Sequence, residues 1–260
     1  MAENSSTDSI GRKVFFLYPS LLMRTQIAEG LALEEFEVYS VKDEIKLSRV
    51  LKKYSDSIVF ANISDGMSES AWEDWIRSIM MDSETANIDI GIIAYGENAT
   101  MRHKYIELLR VRCGFTVIKP DISATVKQLA SILNDINAKG RRKYVRVMTD
   151  KEPDVTVSLP TNGTFVNGVI KDISTAAFSF SCSFEQDPEL VKNSHFTGIH
   201  IRLQTQYLKV NGMVLGSRMQ GTEKIYVILL SQHTPPDVQT VIRKFTRTLL
   251  QSRMDDEFKD

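Results

Sequence analysis

The residues best suited to chemistry in this chain are a cluster of cations followed by a carboxylate and a hydroxyl. Arg141, Arg142, Lys143 and Arg146 put four positive charges into six residues, and Arg142 and Arg146 form an Arg-x-x-x-Arg pair. Asp172-Ile173-Ser174 follows 26 residues after Arg146 and runs on into small residues, Thr175-Ala176-Ala177. A guanidinium is a planar fork of donors that matches phosphate or two adjacent acceptors on a base edge. A carboxylate accepts from paired N–H donors, and a serine hydroxyl can donate or accept. Together these groups describe recognition of an anionic, hydrogen-bonding ligand. The chain offers no nucleophile–base set, paired carboxylates or Gly-rich phosphate loop at a recognisable cleft, so it reads as a non-enzyme.

The elements that must position these groups change character at Gly140, which reads as the residue closing a helix. Before it, short apolar runs alternate with helical stretches. The strand-like runs are Val14–Tyr18, Phe36–Val41, Ser57–Ala61, Ile88–Ala94 and Phe115–Ile118. Helical periodicity occupies about 21–33, 43–54, 68–81, 100–111 and 123–138. Asp43 and Asp65 read as helix N-caps. Trp72, Trp75, Ile76 and Ile79, and likewise Tyr105 with Leu108 and Leu109, read as faces packed on a sheet. This alternation predicts a flavodoxin-like parallel sheet of order 2-1-3-4-5.

After Gly140 the pattern is strand-like. The runs are Val145–Val147, Val155–Leu159, a hairpin turn at Thr161–Thr164, Phe165–Ile170 and Phe178–Cys182. Beyond an acidic stretch (Glu185 to Glu189) come Ile199–Leu203, Leu208–Val210, Met213–Leu215 and Lys224–Leu230. Thr234-Pro235 then opens a helix carrying Val238, Val241, Ile242, Phe245 and Leu249 on one face. Six or more antiparallel strands closed by one helix predict a small β-barrel. The expected division is a flexible tail over 1–11, an α/β domain over 12–138, a barrel domain with its basic linker over 139–254, and an acidic tail over 255–260.

Charge follows the same division. Residues 1–137 hold 15 Lys/Arg against 20 Asp/Glu, net −5, and residues 138–260 hold 17 against 13, net +4. The second half is the better host for an anion. A composition 42% hydrophobic and 25% charged is that of a folded soluble protein. Two cysteines, Cys113 and Cys182, give no disulfide framework or zinc spacing, and fit a reducing cytosol. No metal or cofactor is expected. No apolar run approaches the ~18–20 residues of a membrane span, and the first residues lack a leader's apolar segment.

The barrel pattern, with Arg142-x-x-x-Arg146 ahead of its first strand and Asp172-Ile173-Ser174-x-x-Ala177 between later strands, resembles the PilZ domain. That family consists of small β-barrels that bind the bacterial second messenger cyclic di-GMP, and the resemblance covers roughly residues 140–252. It implies that Arg142 and Arg146 contact guanine or phosphate, that Asp172 accepts from guanine N1–H and N2–H, and that Ser174 supplies a hydroxyl. Arg141 is an accessory cation for phosphate. Ala177 stands where the family usually has glycine. If that backbone needs positive φ, alanine costs about 1–2 kcal/mol; if glycine serves only close approach, a methyl fits.

The first half resembles the receiver domains of response regulators, down to the Lys119-Pro120 step after the fifth strand. The phosphoacceptor position, however, falls on Asn62, and the acidic pair expected after the first strand is replaced by Tyr18-Pro19-Ser20. An amide cannot take a phosphoryl group, and Mg²⁺ wants hard oxygen ligands. The expectation is therefore a receiver-like domain without phosphoryl chemistry, joined to a cytoplasmic cyclic di-GMP receptor that signals to a protein partner, with motility or virulence among the outputs. The alternative is an adaptor that binds no nucleotide. DNA binding is not expected, because residues 144–232 offer no recognition helix. A homodimer stays open.

Overall fold

The computed structural model describes residues 11–161, 164–182 and 190–259. The expected tail up to residue 10, the turn residues Asn162 and Gly163, and the acidic stretch Glu185–Glu189 lie outside the described residues. The chain forms two units. One takes the chain as far as Lys143 together with the residues from Gln251 onward; the other is Tyr144–Leu250.

In the first unit, β1 (Val14–Leu17), β2 (Val38–Val41), β3 (Ile58–Asn62), β4 (Asp89–Ala94) and β5 (Phe115–Val117) form one sheet of order β2-β1-β3-β4-β5. Every pairing in it is parallel. This is the expected flavodoxin-like order. Parallel strands are covered on both faces, which is why they read as unbroken apolar runs; β1 and β4 are buried along their whole length. The helices are α1 (Ala28–Leu33), α2 (Glu44–Lys53), α3 (Glu69–Met81), α4 (Ala99–His103) and α5 (Ile122–Asp135). Asp43 caps α2, accepting from Lys46 N at 2.9 Å. Trp72 and Trp75 are buried, as their spacing implies.

Two details differ from expectation. The cap of α3 is Ser68, which accepts from Ala71 N; Asp65 is exposed and accepts instead from Gly66 N. Tyr105 and Leu109 are buried, but Leu108 is 64% exposed. A π-helical turn over Lys104–Leu108 follows α4, with Leu109 N bonded to Lys104 O at 2.9 Å. That wider turn rotates Leu108 off the inward face.

The C-terminal residues of this unit close the β2 edge. The Gln251 amide accepts from Ser40 N (2.9 Å) and donates to Ser40 O (3.1 Å). It satisfies backbone groups that an edge strand otherwise leaves open.

The second unit contains β6 (Arg146–Met148), β7 (Val155–Thr161), β8 (Thr164–Ser174), β9 (Ala177–Ser181), β10 (His195–Leu203), β11 (Gln206–Gln220) and β12 (Glu223–Leu230). Six of these close a ring, β8-β7-β10-β11-β12-β9, with β9 pairing back onto β8. β6 adds to the C-terminal end of β8. The inward residues, among them Val157, Ile173, Phe178, Phe180, Ile201 and Ile228, form one core with Ile242 and Leu249 of α6 (Pro236–Glu257). The helix starts one residue later than the Thr234-Pro235 signal suggests, with Pro236 rather than Pro235 in its first turn.

Leu208–Val210 and Met213–Leu215 are parts of one strand, β11. Gly212 between them is not a turn. A Cβ there would lie 2.6 Å from Ile228 Cγ2, so the glycine serves close strand packing. Among the described residues no helix is long and apolar enough to cross a membrane.

Candidate ligand-binding site

The geometry of the site begins with one extra residue in β8. Up to Ile170 the strand alternates, with Val166, Gly168 and Ile170 buried. The pairing with β9 then shifts between Ile170 (opposite Phe180) and Asp172 (opposite Ser179). Lys171 is the bulged residue. A bulge re-aims the side chains beyond it. Ile173 therefore points into the core, while Asp172 and Ser174 share the opposite face.

On that face Arg146 stands opposite Ser174, and Met148 opposite Asp172. Arg146 Nε lies 3.2 Å from Asp172 Oδ1, and Ser179 Oγ donates to Asp172 Oδ2. Asp172 and Ser179 are nearly inaccessible, at 5% and 2%, whereas the Arg146 side chain is 41% exposed. The carboxylate is thus held at both oxygens, with a part-exposed cation at its outer side.

Ser174 builds the turn beside it. Its hydroxyl donates to Ala177 O (3.0 Å) and accepts from Ala176 N (3.3 Å) and Ala177 N (3.1 Å). A hydroxyl has one donor and two acceptor positions, so the turn uses all three. Ala177 opens β9 opposite Leu229 and is absent from the residues with positive φ. Its methyl costs no left-handed strain.

Arg141 and Arg142 are exposed and lie in the segment before β6. With Asn134, Asn137, Lys139 and Lys143 they line an open cavity of about 320 Å³ in the first unit. Asn137 (φ 54°) and Gly140 (φ 58°) turn the chain there after α5. A small concavity with four cations on its wall suits an anion.

The expected residues fall into two separate groups, one in each unit. Arg146, Asp172, Ser174 and Ala177 stand together on the barrel, and Arg141 and Arg142 on the cavity of the basic segment. The contact of Ser179 with Asp172 was not legible in the sequence. Its only signal is the alternation Phe178-Ser179-Phe180, which puts a small polar side chain opposite two core aromatics.

The receiver-like end of the sheet is occupied by other groups. Asn62 is fully buried and donates from Nδ2 to Tyr18 O at 2.8 Å. Tyr18 has φ 53°, and its ring lies over Gly66, where a Cβ would come within 2.3 Å of it. Trp72 meets the same ring edge-on at 5.8 Å. Burial, followed by the hydrogen bond to Glu44, pushes the Tyr18 phenol up to about 12. Lys119 is exposed, and its N–H donates to Thr125 Oγ1 at 3.0 Å. Among the described residues no three His, Cys, Asp or Glu side chains converge as metal ligands. Gly66→Ala should cost about 2–4 kcal/mol, from positive φ plus overlap with Tyr18, and urea denaturation measures it. An unchanged midpoint would show that the ring is not fixed there.

No family model matches the sequence, and no curated protein is significantly similar to it. Solved structures are similar to parts of it. The PilZ domain with c-di-GMP of YcgR from Escherichia coli is 13% identical, covering 46% of this chain and 99% of that one, with a TM-score of 0.39. MrkH of K. pneumonia, solved in complex with c-di-GMP, is 17% identical over 46% of this chain, with a TM-score of 0.39. The match takes in 56% of MrkH, so this chain spans little more than half of its length. The Mn(2+)-bound form of response regulator Rcp1 is 12% identical, covering 48% of this chain and 94% of that one, with a TM-score of 0.39.

Proposed function

We propose that this protein is a non-catalytic cytoplasmic receptor for cyclic di-GMP. The observation that carries the reading is the constellation on the barrel: Asp172 held at both oxygens by Arg146 and Ser179 on the face away from the core. Arg141 and Arg142 lie five and four residues before Arg146 in the same chain segment. Arg146 swings from Asp172 to a phosphate or guanine edge, Arg142 takes a second contact, and Asp172 accepts from guanine N–H groups. The Ser174 turn sets the backbone beside them. Hydrogen bonds to charged groups are worth about 1.5–3 kcal/mol each. A micromolar ligand needs about 8 kcal/mol net, which three such groups with base stacking supply after loop ordering.

The basic segment joins the two units in sequence. Ordering it on a ligand changes their arrangement and hence the surface offered to a protein partner. The receiver-like unit contributes that surface and no phosphoryl chemistry. Arg142→Ala and Arg146→Ala should each weaken cyclic di-GMP binding by roughly 10- to 100-fold, one charge-assisted contact apiece; Arg142→Ala should melt near wild type, and Arg146→Ala lower, because it leaves the Asp172 carboxylate without its cation. Full affinity in both variants would reject these arginines as the binding site, and a wild type that binds no cyclic di-GMP would favour the nucleotide-free adaptor.

A further inference from the structure

Ser179 belongs to no part of the motif pair, yet it is the one side chain that fixes Asp172 from within the barrel wall. It lies directly opposite Asp172 across the β8–β9 ladder. It is 2% exposed and donates its hydroxyl proton to Oδ2. On the other flank of Asp172 the register partner is Met148, which cannot donate a comparable bond. The remaining support is Arg146 at Oδ1, on a side chain 41% exposed and so open to solvent and to a ligand. When Arg146 turns to a ligand, Ser179 alone keeps the carboxylate plane in place.

The count of acceptor positions says what that plane selects. A carboxylate has about four lone-pair positions, two on each oxygen. Ser179 takes one on Oδ2 and Arg146 one on Oδ1, so each oxygen keeps one. Two adjacent acceptors in a fixed plane match two adjacent N–H donors. Guanine presents that pair at N1 and the exocyclic N2, whereas adenine presents an acceptor at N1. A serine hydroxyl has one proton, and here it is spent on Asp172. Ser179 thus acts through the carboxylate and does not donate to ligand.

We infer that Ser179 is a positioning residue that makes the site selective for the guanine edge of its ligand. The inference rests on the reading of Asp172 as the ligand-binding carboxylate. Its test is a calorimetric comparison of cyclic di-GMP with the cyclic dinucleotide lacking both exocyclic 2-amino groups, on wild type, Ser179→Ala, Ser179→Thr and Asp172→Asn. Wild type should prefer the guanine ligand. Ser179→Ala should lose roughly tenfold for it and markedly less for the analogue, so that the preference shrinks. Ser179→Thr, which keeps the hydroxyl, should retain the preference.

An unchanged preference in Ser179→Ala, or an equal loss for both ligands that threonine does not restore, overturns the assignment of Ser179 alone. Asp172→Asn with wild-type affinity and preference overturns the carboxylate reading beneath it, and so does a wild type that binds neither ligand. Thermal melting of each variant separates these outcomes from simple unfolding.

Discussion

Asp172→Ala should lower affinity for cyclic di-GMP by at least about a hundredfold while the barrel stays folded. Two hydrogen bonds from ligand N–H groups to a charged carboxylate are worth about 3–6 kcal/mol together, and each 1.4 kcal/mol is a factor of ten. The fold survives because the loss falls outside the core: Ile173, Phe178 and Phe180 keep their inward positions. Arg146, already 41% exposed, regains water. Ser179 is left with a buried hydroxyl lacking its acceptor, which costs about 1–3 kcal/mol of stability. Calorimetry for affinity and urea denaturation for stability separate the two effects. Retained affinity would mean that Asp172 is a structural partner of Arg146 and nothing more.

Asn62→Asp should destabilise the first unit by about 3–5 kcal/mol at neutral pH without creating a phosphorylation site. Asn62 is fully buried and gives its amide proton to the Tyr18 carbonyl. An aspartate there sets an unpaired buried charge against a carbonyl oxygen. Burial disfavours the charged form, so its folded-state pKa lies above the unfolded one. The penalty then grows as pH rises past the unfolded carboxylate range and shrinks near pH 4, where the protonated acid can donate to Tyr18 O as the amide does. Denaturation at pH 4 and pH 8 tests the sign. A variant of wild-type stability that takes up phosphate from a small phosphodonor would show that the receiver chemistry is merely dormant.

Much of the architecture was legible because periodicity reports burial directly. The buried parallel strands read as continuous apolar runs, and the barrel strands as alternation that switches at Gly140. The misreadings share a cause, which is that local signals were taken without their tertiary partners. Leu208–Val210 and Met213–Leu215 read as separate runs, but they belong to one strand in which Gly212 accommodates Ile228 across the ladder. Asp65-Gly66 looks like a cap, but Gly66 is where the Tyr18 ring lies. Leu108 sits on the apolar stripe, but a π-helical turn moves it outward.

At the site, the residue types could be listed from the motifs, whereas their geometry could not. The facing of Asp172 depends on the bulge at Lys171, and its pairing with Ser179 on a ladder register. Neither leaves a mark in local composition. Whether Ala177 in place of glycine carries left-handed strain is answered by a backbone angle, which sequence does not supply.

The most direct test of the account is calorimetric titration of the full chain with cyclic di-GMP, with GMP as the control. The account predicts saturable binding of cyclic di-GMP at micromolar or tighter affinity and far weaker heat from GMP, which offers one guanine and no phosphodiester ring. No heat and no thermal shift at millimolar cyclic di-GMP would contradict it, and would leave the protein as an adaptor whose barrel holds its charged residues for structure alone.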